Sequence, residues 1–217
     1  MQTALATRIA IQDLLALDPP HLGNFLERTR ARIDELAAAA PDSAWPPATP
    51  AIDPVVVPAG FAAVLVRLAG KEVGVHETGG ENSGARIREY QSATNLPPDQ
   101  WPWCAAFICW LVKEAILTGP VIAFKRPTTA GAWDFERWAR DQSGRGVTLH
   151  KPKDIAARAG DLVVYTYSHI GLAVGAETAG RIPTIEGNTN ADGGREGDGV
   201  YRKSRRVSDI RSLIRIG

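Results

Sequence analysis

The sequence predicts an α+β fold in which helices pack on an antiparallel β-sheet, and two observations lead to it. Helix-like apolar segments occupy the middle of the chain: FAAVLVRLAGKE, ARIREYQSAT and CAAFICWLVKEAIL. Short β-rich runs, divided by Gly, Asp and Asn, fill the last third: DLVVYTY, HIGLAVGAE, RIPTIEGN, GVYRKSRR and SLIRIG. Helices followed by a run of strands favour separate layers with antiparallel pairing. Between them, residues 118–160 are expected to be irregular apart from a short helix at GAWDFERWARD.

The first 60 residues differ in composition from the rest of the 217-residue chain. Residues 1–40 contain two helix-like segments, separated by Pro19 and Pro20. Residues 41–60 carry six prolines in twenty positions, a composition typical of a stiff, extended linker. Since forty residues are few for an independent core, we expect a small helical extension, then this linker, and one principal domain over residues 61–217.

Charge and hydropathy exclude several classes of protein. The chain has 25 Lys and Arg against 24 Asp and Glu, so its net charge gives no reason to expect a nucleic-acid partner or membrane binding. No run approaches the ~20 apolar residues that span a bilayer, so no integral membrane segment is expected. The basic residues near the C-terminus are interpreted as a solvated strand face, with binding to an anionic polymer as the alternative; they are Arg202, Lys203, Arg205, Arg206, Arg211 and Arg215.

The N-terminal segment MQTALATRIAIQDLLALDPP does not resemble a secretory signal. It lacks a basic opening, and Asp13 interrupts its apolar run. We therefore expect synthesis in the cytoplasm without a signal peptide. A substrate outside the cytoplasm would require another route of delivery, such as a phage holin or an injection system.

Cys104 is the candidate nucleophile. Pro102 suits the turn before a helix, which places Cys104 in the first helical turn. There the thiol faces unpaired backbone N–H groups and the positive end of the helix dipole, and both favour the thiolate. The same N–H groups could hold a developing oxyanion. The alternative for Cys104 is a small core residue, which is the interpretation we give to Cys109 in the middle of the helix.

A cysteine nucleophile needs a base, and His169 is the favoured histidine because of the residues that follow it. Glu186 and Asn188 are two apart in TIEGN, so on a strand their side chains share a face. If that strand pairs antiparallel with the strand that begins at His169, both side chains lie beside the imidazole. An acceptor there would orient the ring and stabilise imidazolium. The alternative for Glu186 is an ordinary solvated carboxylate, and the alternative for Asn188 is a turn residue that ends the strand.

The motifs PWCAAF, GDLVVY…HIGLAVG and TIEGNTN…GVYRKSR occur in an order that resembles the CHAP family. These are papain-like cysteine, histidine-dependent amidohydrolases and peptidases, many of them phage lysins and murein hydrolases. The upstream segment EVGVHETGGENSGARIREY resembles the entry segment of one CHAP subgroup, so the resemblance covers about residues 61–217. It implies a papain-like α+β fold, Cys104 as nucleophile, His169 as general base and acid, Glu186 as the group orienting His169, and Asn188 as an auxiliary polar group.

The resemblance also implies the reaction, which is hydrolysis of an amide in bacterial peptidoglycan through a thioester. The bond could be muramoyl–L-Ala, cut by an amidase, or one within the stem or cross-bridge, cut by an endopeptidase. We expect a phage endolysin-type lytic enzyme that acts on the cell wall after release or delivery. The alternatives are an injected antibacterial amidase with an immunity partner, a non-catalytic wall-binding module, and a papain-like enzyme acting on another amide.

Substrate contacts are expected from the loops around the nucleophile. Trp101 and Trp103 lie just before Cys104 in the sequence. The ring of Trp103 could stack on a sugar or a peptide, and the alternative is a position in the core. Glu77 and Asn82 are the polar candidates of the glycine-rich loop GVHETGGENSG. Gln100 is the nearest side-chain amide that could act as an oxyanion donor, although its spacing departs from the papain pattern.

No cofactor and no metal ion are expected. The segment NTNADGGREGDG has oxygen ligands at alternate positions and a glycine after Asp192, as calcium loops do. Its closing position is Gly199 instead of an acid, so we interpret the segment as a hairpin loop. No Cys and His cluster has the spacing of a zinc site.

Overall fold

A computed structural model describes residues 60–217. The predicted helical extension over 1–40 and nearly all of the predicted linker over 41–60 therefore lie outside the described residues. The described part contains four α-helices, and none of them is long and apolar enough to cross a membrane. They are α1 (Gly60–Glu72), α2 (Ala85–Gln91), α3 (Cys104–Thr118) and α4 (Asp134–Asp141).

Six strands form one antiparallel sheet, which confirms the predicted α+β class. Their order across the sheet is β1-β6-β2-β3-β4-β5, so β5 forms one edge. A short 3-10 helix over Val207–Asp209 precedes the last strand. The strands are β1 (Val147–His150), β2 (Leu162–Tyr165), β3 (Ile170–Ala173), β4 (Arg181–Thr189), β5 (Gly199–Arg206) and β6 (Ile210–Ile216).

Helix α3 is the centre of the core. Every residue from Cys104 to Val112 is buried, as expected of a helix that is apolar on most sides. Burial of each large apolar side chain stabilises the fold by roughly 1.5–3 kcal/mol. The helix packs against α1, α2, β3 and β4. Its position is thus fixed from several directions, and its first turn lies against β4.

The two faces of the sheet contact different apolar clusters. Ile185 of β4 belongs to the large cluster around α3, whereas Ile182 belongs to a second cluster with Tyr165 of β2. Alternation along the strand therefore directs Glu186 toward the second cluster, away from α3. On that face, the Glu186 carboxylate accepts a hydrogen bond from the Tyr165 hydroxyl.

Gly187 of β4 lies in close contact with the start of α3. A Cβ atom at this position would lie 2.6 Å from Trp103 Cζ3 and 2.9 Å from Phe107 Cβ. Both are ring or backbone-proximal atoms that cannot swing aside. The absence of a side chain at Gly187 therefore allows the start of α3 to lie against the strand.

We expect Gly187→Ala to lower the free energy of unfolding by about 1–3 kcal/mol, because the added methyl group overpacks the contact between α3 and β4. Urea unfolding followed by tryptophan fluorescence measures the change. Gly70→Ala is the control, since a Cβ there meets only Arg202 Nη2 at 3.8 Å and alanine suits a helix. Equal stability of Gly187→Ala and wild type would contradict this packing argument.

Candidate active site

Helix α3 begins at Cys104, whose side chain lies at the first turn with 6% of the residue exposed. Trp103 precedes it as the N-cap and makes no side-chain cap. The first intrahelical bond of the helix runs from the N–H of Phe107 to the carbonyl of Trp103. The N–H groups at the start of α3 thus lack helical partners and surround the thiol with positive potential.

His169 is fully buried and lies between the ends of β2 and β3. The N–H of Tyr165 donates to its carbonyl at 3.1 Å, and the Tyr165 ring stacks on the imidazole with centroids 5.6 Å apart. Nε2 of the imidazole lies 3.0 Å from Glu186 Oε2. The other ring nitrogen, Nδ1, is buried and makes no hydrogen bond within the described residues. This nitrogen remains for proton exchange.

Electrostatic contacts join His169 to both Cys104 and Glu186. Burial by itself lowers the pKa of His169, but the charge of the Cys104 thiolate and the Glu186 carboxylate outweigh it and raise the pKa from 6.5 to about 9. The protonated imidazole is therefore favoured beside a thiolate. The buried imidazole thus interacts with the Cys104 sulfur as well as with the Glu186 carboxylate.

Glu186 is fully buried, and all of its side-chain partners are donors. Oε1 accepts from the hydroxyls of Tyr165 at 2.7 Å and Thr184 at 2.5 Å. Arg205 donates from Nε to Oε1 at 2.9 Å and from Nη2 to Oε2 at 2.5 Å. Although burial raises the pKa of Glu186, His169 and Arg205 hold it well below its usual range. The carboxylate is thus ionised, and donors hold both of its oxygens.

The structure corrects the expectation for Asn188. The backbone φ of Asn188 is +57°, and the pairing of β4 with β5 shifts register between Glu186 and Thr189. This left-handed residue and the irregularity break the two-residue alternation of the strand. As a result, Asn188 does not share the face of Glu186 beside the imidazole.

Asn188 instead holds the residue that precedes the nucleophile. Its Oδ1 accepts from the backbone N–H of Trp103 at 3.0 Å. Its amide nitrogen donates to Asn82 Oδ1 at 3.1 Å and to the carbonyl of Gly197 at 3.0 Å. Both amide protons are therefore engaged, and the contacts are those of a residue that positions the start of α3.

Trp103 is fully buried, which corrects the prediction that its ring stacks on substrate. The ring stacks on Tyr90 with centroids 5.4 Å apart, so it belongs to the aromatic core. Its Nε1 donates to Glu77 Oε1 at 2.8 Å, and Glu77 Oε2 accepts from the N–H of Asn82 at 2.8 Å. The glycine-rich loop is thereby connected to the start of α3 and to Asn188.

Glu77 and Asn82 also line a cavity of about 240 Å³ beside Asn188, so both remain candidates for substrate contact. Trp101 is half-buried and donates from Nε1 to the carbonyl of Pro97 at 2.9 Å. Gln100 is exposed, and its amide contacts Ser83 at 3.4 Å. None of the contacts of Gln100 directs its amide to Cys104.

Arg205, Tyr165 and Gln91 were not singled out from the sequence. Arg205 carried only the general signal of a basic strand. Gln91 is fully buried and donates from Nε2 to the carbonyls of Asp99 at 2.6 Å and Trp101 at 3.1 Å, which fixes the turn before the nucleophile. The partners of these residues are distant in sequence or follow from a loop conformation, so no local signal identifies them.

The loop between β4 and β5 spans residues 190–198. Within residues 60–217, no group of three or more His, Cys, Asp or Glu side chains is arranged to hold a metal ion.

Residues 96–188 match the family model of the CHAP domain. No curated protein matches the chain. The matched range contains Cys104, His169 and Glu186 and ends at Asn188, whereas Arg205 lies beyond it.

Proposed function

Because the chain is a CHAP-domain protein, as its sequence motifs predicted, we propose that it hydrolyses an amide bond of bacterial peptidoglycan with Cys104 as the nucleophile. The family as a whole consists of amidases and peptidases that act on this polymer. The observation that carries the proposal is the buried series formed by the Cys104 thiol, the His169 imidazole and the Glu186 carboxylate. A nucleophile, its base and an orienting acceptor are the three groups that acyl transfer needs.

In the first half of the reaction, the Cys104 thiolate attacks the amide carbonyl carbon and forms a tetrahedral intermediate. Backbone N–H groups at the start of α3 stabilise the oxyanion. The His169 imidazolium donates its proton from Nδ1 to the leaving nitrogen, the C–N bond breaks, and a free amine departs. The acyl group remains on Cys104 as a thioester.

In the second half, His169 is neutral and acts as the base. Nδ1 removes a proton from a water molecule, the resulting hydroxide attacks the thioester carbonyl, and the C–S bond breaks. The products are a carboxylic acid and the regenerated thiolate. Throughout, Glu186 accepts the Nε2–H bond at 3.0 Å and keeps Nδ1 as the nitrogen that exchanges protons.

The biological role that we propose is bacteriolysis of the endolysin type. The resemblance of the motifs to phage lysins supports this role. Two bonds fit the mechanism equally, the muramoyl–L-Ala amide and an amide within the stem peptide or cross-bridge. Both reactions release an amine and leave the glycosidic bonds intact, so the products distinguish this enzyme from a glycosidase.

The test is digestion of purified murein sacculi by the full chain. We expect turbidity to fall and new amino groups to appear without new reducing sugar ends, and heat-denatured protein serves as the control. Mass spectrometry then identifies the bond, because an amidase releases glycan free of peptide and an endopeptidase shortens the peptides. New reducing ends, or intact sacculi after treatment with folded protein, would overturn the proposal.

The reaction should have an alkaline limit set by His169. Since neighbouring negative charge raises the pKa of His169 to about 9, the proton needed by the leaving amine is present below that pH and lost above it. We expect kcat for amine release to fall as the pH rises through about 9. A profile of initial rates from about pH 6 to about pH 11 measures this decrease in kcat. An alkaline limb near the ordinary histidine pKa of about 6.5 would contradict the expected pairing.

A further inference from the structure

Arg205 contacts the same buried carboxylate of Glu186 that His169 contacts. It comes from β5, the edge strand, and reaches the carboxylate with Nε at 2.9 Å from Oε1 and Nη2 at 2.5 Å from Oε2. Its Nη1 donates to the carbonyl of Gly193 at 2.9 Å. Only 11% of its side chain is exposed, and Glu186 is fully buried. The two-pronged contact fixes the plane of the carboxylate that orients the imidazole.

The permanent charge of Arg205 also affects how strongly Glu186 holds a proton on His169. Two cations beside one buried carboxylate repel each other, so each disfavours the charged form of the other. Glu186 has two such partners, because His169 becomes cationic in the thiolate–imidazolium pair. Without Arg205, imidazolium would no longer be opposed by this positive charge and would hold more strongly the proton that the leaving amine requires.

Other charged and titratable groups also face this pair. Cys104 approaches from α3, and Tyr165 approaches from β2 with its hydroxyl on Glu186. The ring of Tyr167 stacks over His169 with centroids 6.2 Å apart. Burial and the negative charge of Asp209 both help to raise the pKa of Tyr167. These groups are anionic or neutral. Among the described residues that contact this pair, Arg205 is the cation that opposes their effect on His169.

On this geometry, and on the basis of the proposed function, we propose that Arg205 is a positioning residue of the hydrolysis. Acting through Glu186, it holds the His169 ring in place and keeps the imidazolium able to release its proton. The residue lies outside the range matched by the family model, on a strand whose other basic residues are exposed or half-buried. Its contribution passes through Glu186 and involves no contact with substrate.

The test compares Arg205→Met and Arg205→Lys with a matched control, Arg215→Met. Arg215 makes a similar two-pronged contact with Asp161, at 2.9 Å and 2.8 Å, and Asp161 is buried at the other end of β2. Each variant is assayed for kcat, KM and the pH dependence of amine release from sacculi. The rate of Cys104 alkylation by iodoacetamide is measured across the same pH range, because it needs no substrate.

For Arg205→Met, we expect kcat to fall about 10-fold or more, part of the ~10²–10⁴ that a positioned acid–base group contributes. KM should change little. The alkaline limb of kcat and the upper inflection of the alkylation profile should both move to higher pH, since imidazolium loses its opposing charge. Arg205→Lys keeps the positive charge but loses the two-pronged contact with Glu186. The alkaline limb of its kcat profile should therefore stay near the wild-type pH, with kcat between those of wild type and Arg205→Met.

Arg215→Met should lose stability without moving either profile. An unshifted alkaline limb in a folded Arg205→Met variant would reduce Arg205 to a structural role, and an equal shift in Arg215→Met would have the same consequence. If Arg205→Met does not fold, Arg205→Lys decides, because a shifted limb in a variant that keeps the charge overturns the proposal. If wild type releases no amine, the proposed function fails while the alkylation profiles still test Arg205.

Discussion

Replacing Cys104 by alanine is expected to lower kcat for amine release from murein by about 10⁴-fold or more, the order of loss that follows removal of a covalent nucleophile. The helix start, the imidazole and the carboxylate would all remain in place. Without a thiolate, however, no thioester can form, and His169 would have to activate water directly for attack on an unactivated amide. The assay is amine release from sacculi, with circular dichroism to show that the variant is folded.

The matched control is Cys109→Ala, in the same helix. The Cys109 thiol is fully buried and donates to the carbonyl of Thr129 at 3.3 Å. Burial raises its pKa strongly, so it stays protonated and chemically inert. This variant should retain wild-type kcat and lose about 1 kcal/mol of stability with the buried atom and hydrogen bond. Retained hydrolysis by Cys104→Ala, or lost hydrolysis by a folded Cys109→Ala, would reverse the assignment of the two thiols.

Replacing Glu186 by alanine should impair both stability and activity. Arg205 and His169 would lose their shared acceptor, and an unpaired buried charge costs about 3–5 kcal/mol of folding free energy. The imidazole would also lose the bond that selects Nδ1 for proton exchange, so kcat should fall by roughly 10²-fold or more. Urea unfolding and amine release measure the two effects.

The pH dependence of stability provides a second readout for Glu186. Its pKa is lowered on folding, so its contribution to stability is present above the usual glutamate pKa of about 4.3 and is lost as the pH falls below it. Glu186→Ala should remove that part of the acid sensitivity. Asp161→Ala is the control, because it breaks a similar buried pair with Arg215 and should lower stability while sparing kcat. Wild-type stability in Glu186→Ala, or an equal loss of kcat in Asp161→Ala, would argue against the role of Glu186.

The parts of the site that could be predicted from the sequence depend on local signals. Pro102 before an apolar helix-forming run indicates a helix start, and the structure begins α3 at Cys104. His169 precedes a short β-rich run, and Glu186 lies on the strand that pairs with it, at hydrogen-bond distance from the imidazole. Helix periodicity and strand pairing bring these residues together without any unusual backbone conformation.

The parts that could not be predicted depend on contacts between distant residues or on irregular backbone. Asn188 adopts a left-handed conformation that alternation cannot anticipate, and it turns toward Trp103. Trp103 is buried, with its ring stacked on Tyr90 and its Nε1–H bond accepted by Glu77 of the glycine-rich loop. The partner of Arg205 lies 19 residues away on the adjacent strand, where its basic neighbours suggest only solvation.

Strand β1 is a part of the fold that the local sequence does not predict. The local pattern of residues 118–160 predicts irregular structure apart from one short helix, and that helix is observed as α4. Val147–His150 nevertheless forms an edge strand because it pairs with β6, more than sixty residues later. A four-residue segment has too little local pattern to indicate a strand when its stability comes from a partner at that distance.

Covalent labelling of the native protein tests most directly whether Cys104 is the thiolate nucleophile. At pH 6, an ordinary thiol with a pKa of about 8.5 is almost wholly protonated and reacts slowly with iodoacetamide. We expect Cys104 to be alkylated much faster than free glutathione at this pH, with Cys109 unlabelled in peptide mass spectra and amine release falling in proportion to the labelled fraction. Hydrolysis that persists when Cys104 is fully alkylated would contradict the account.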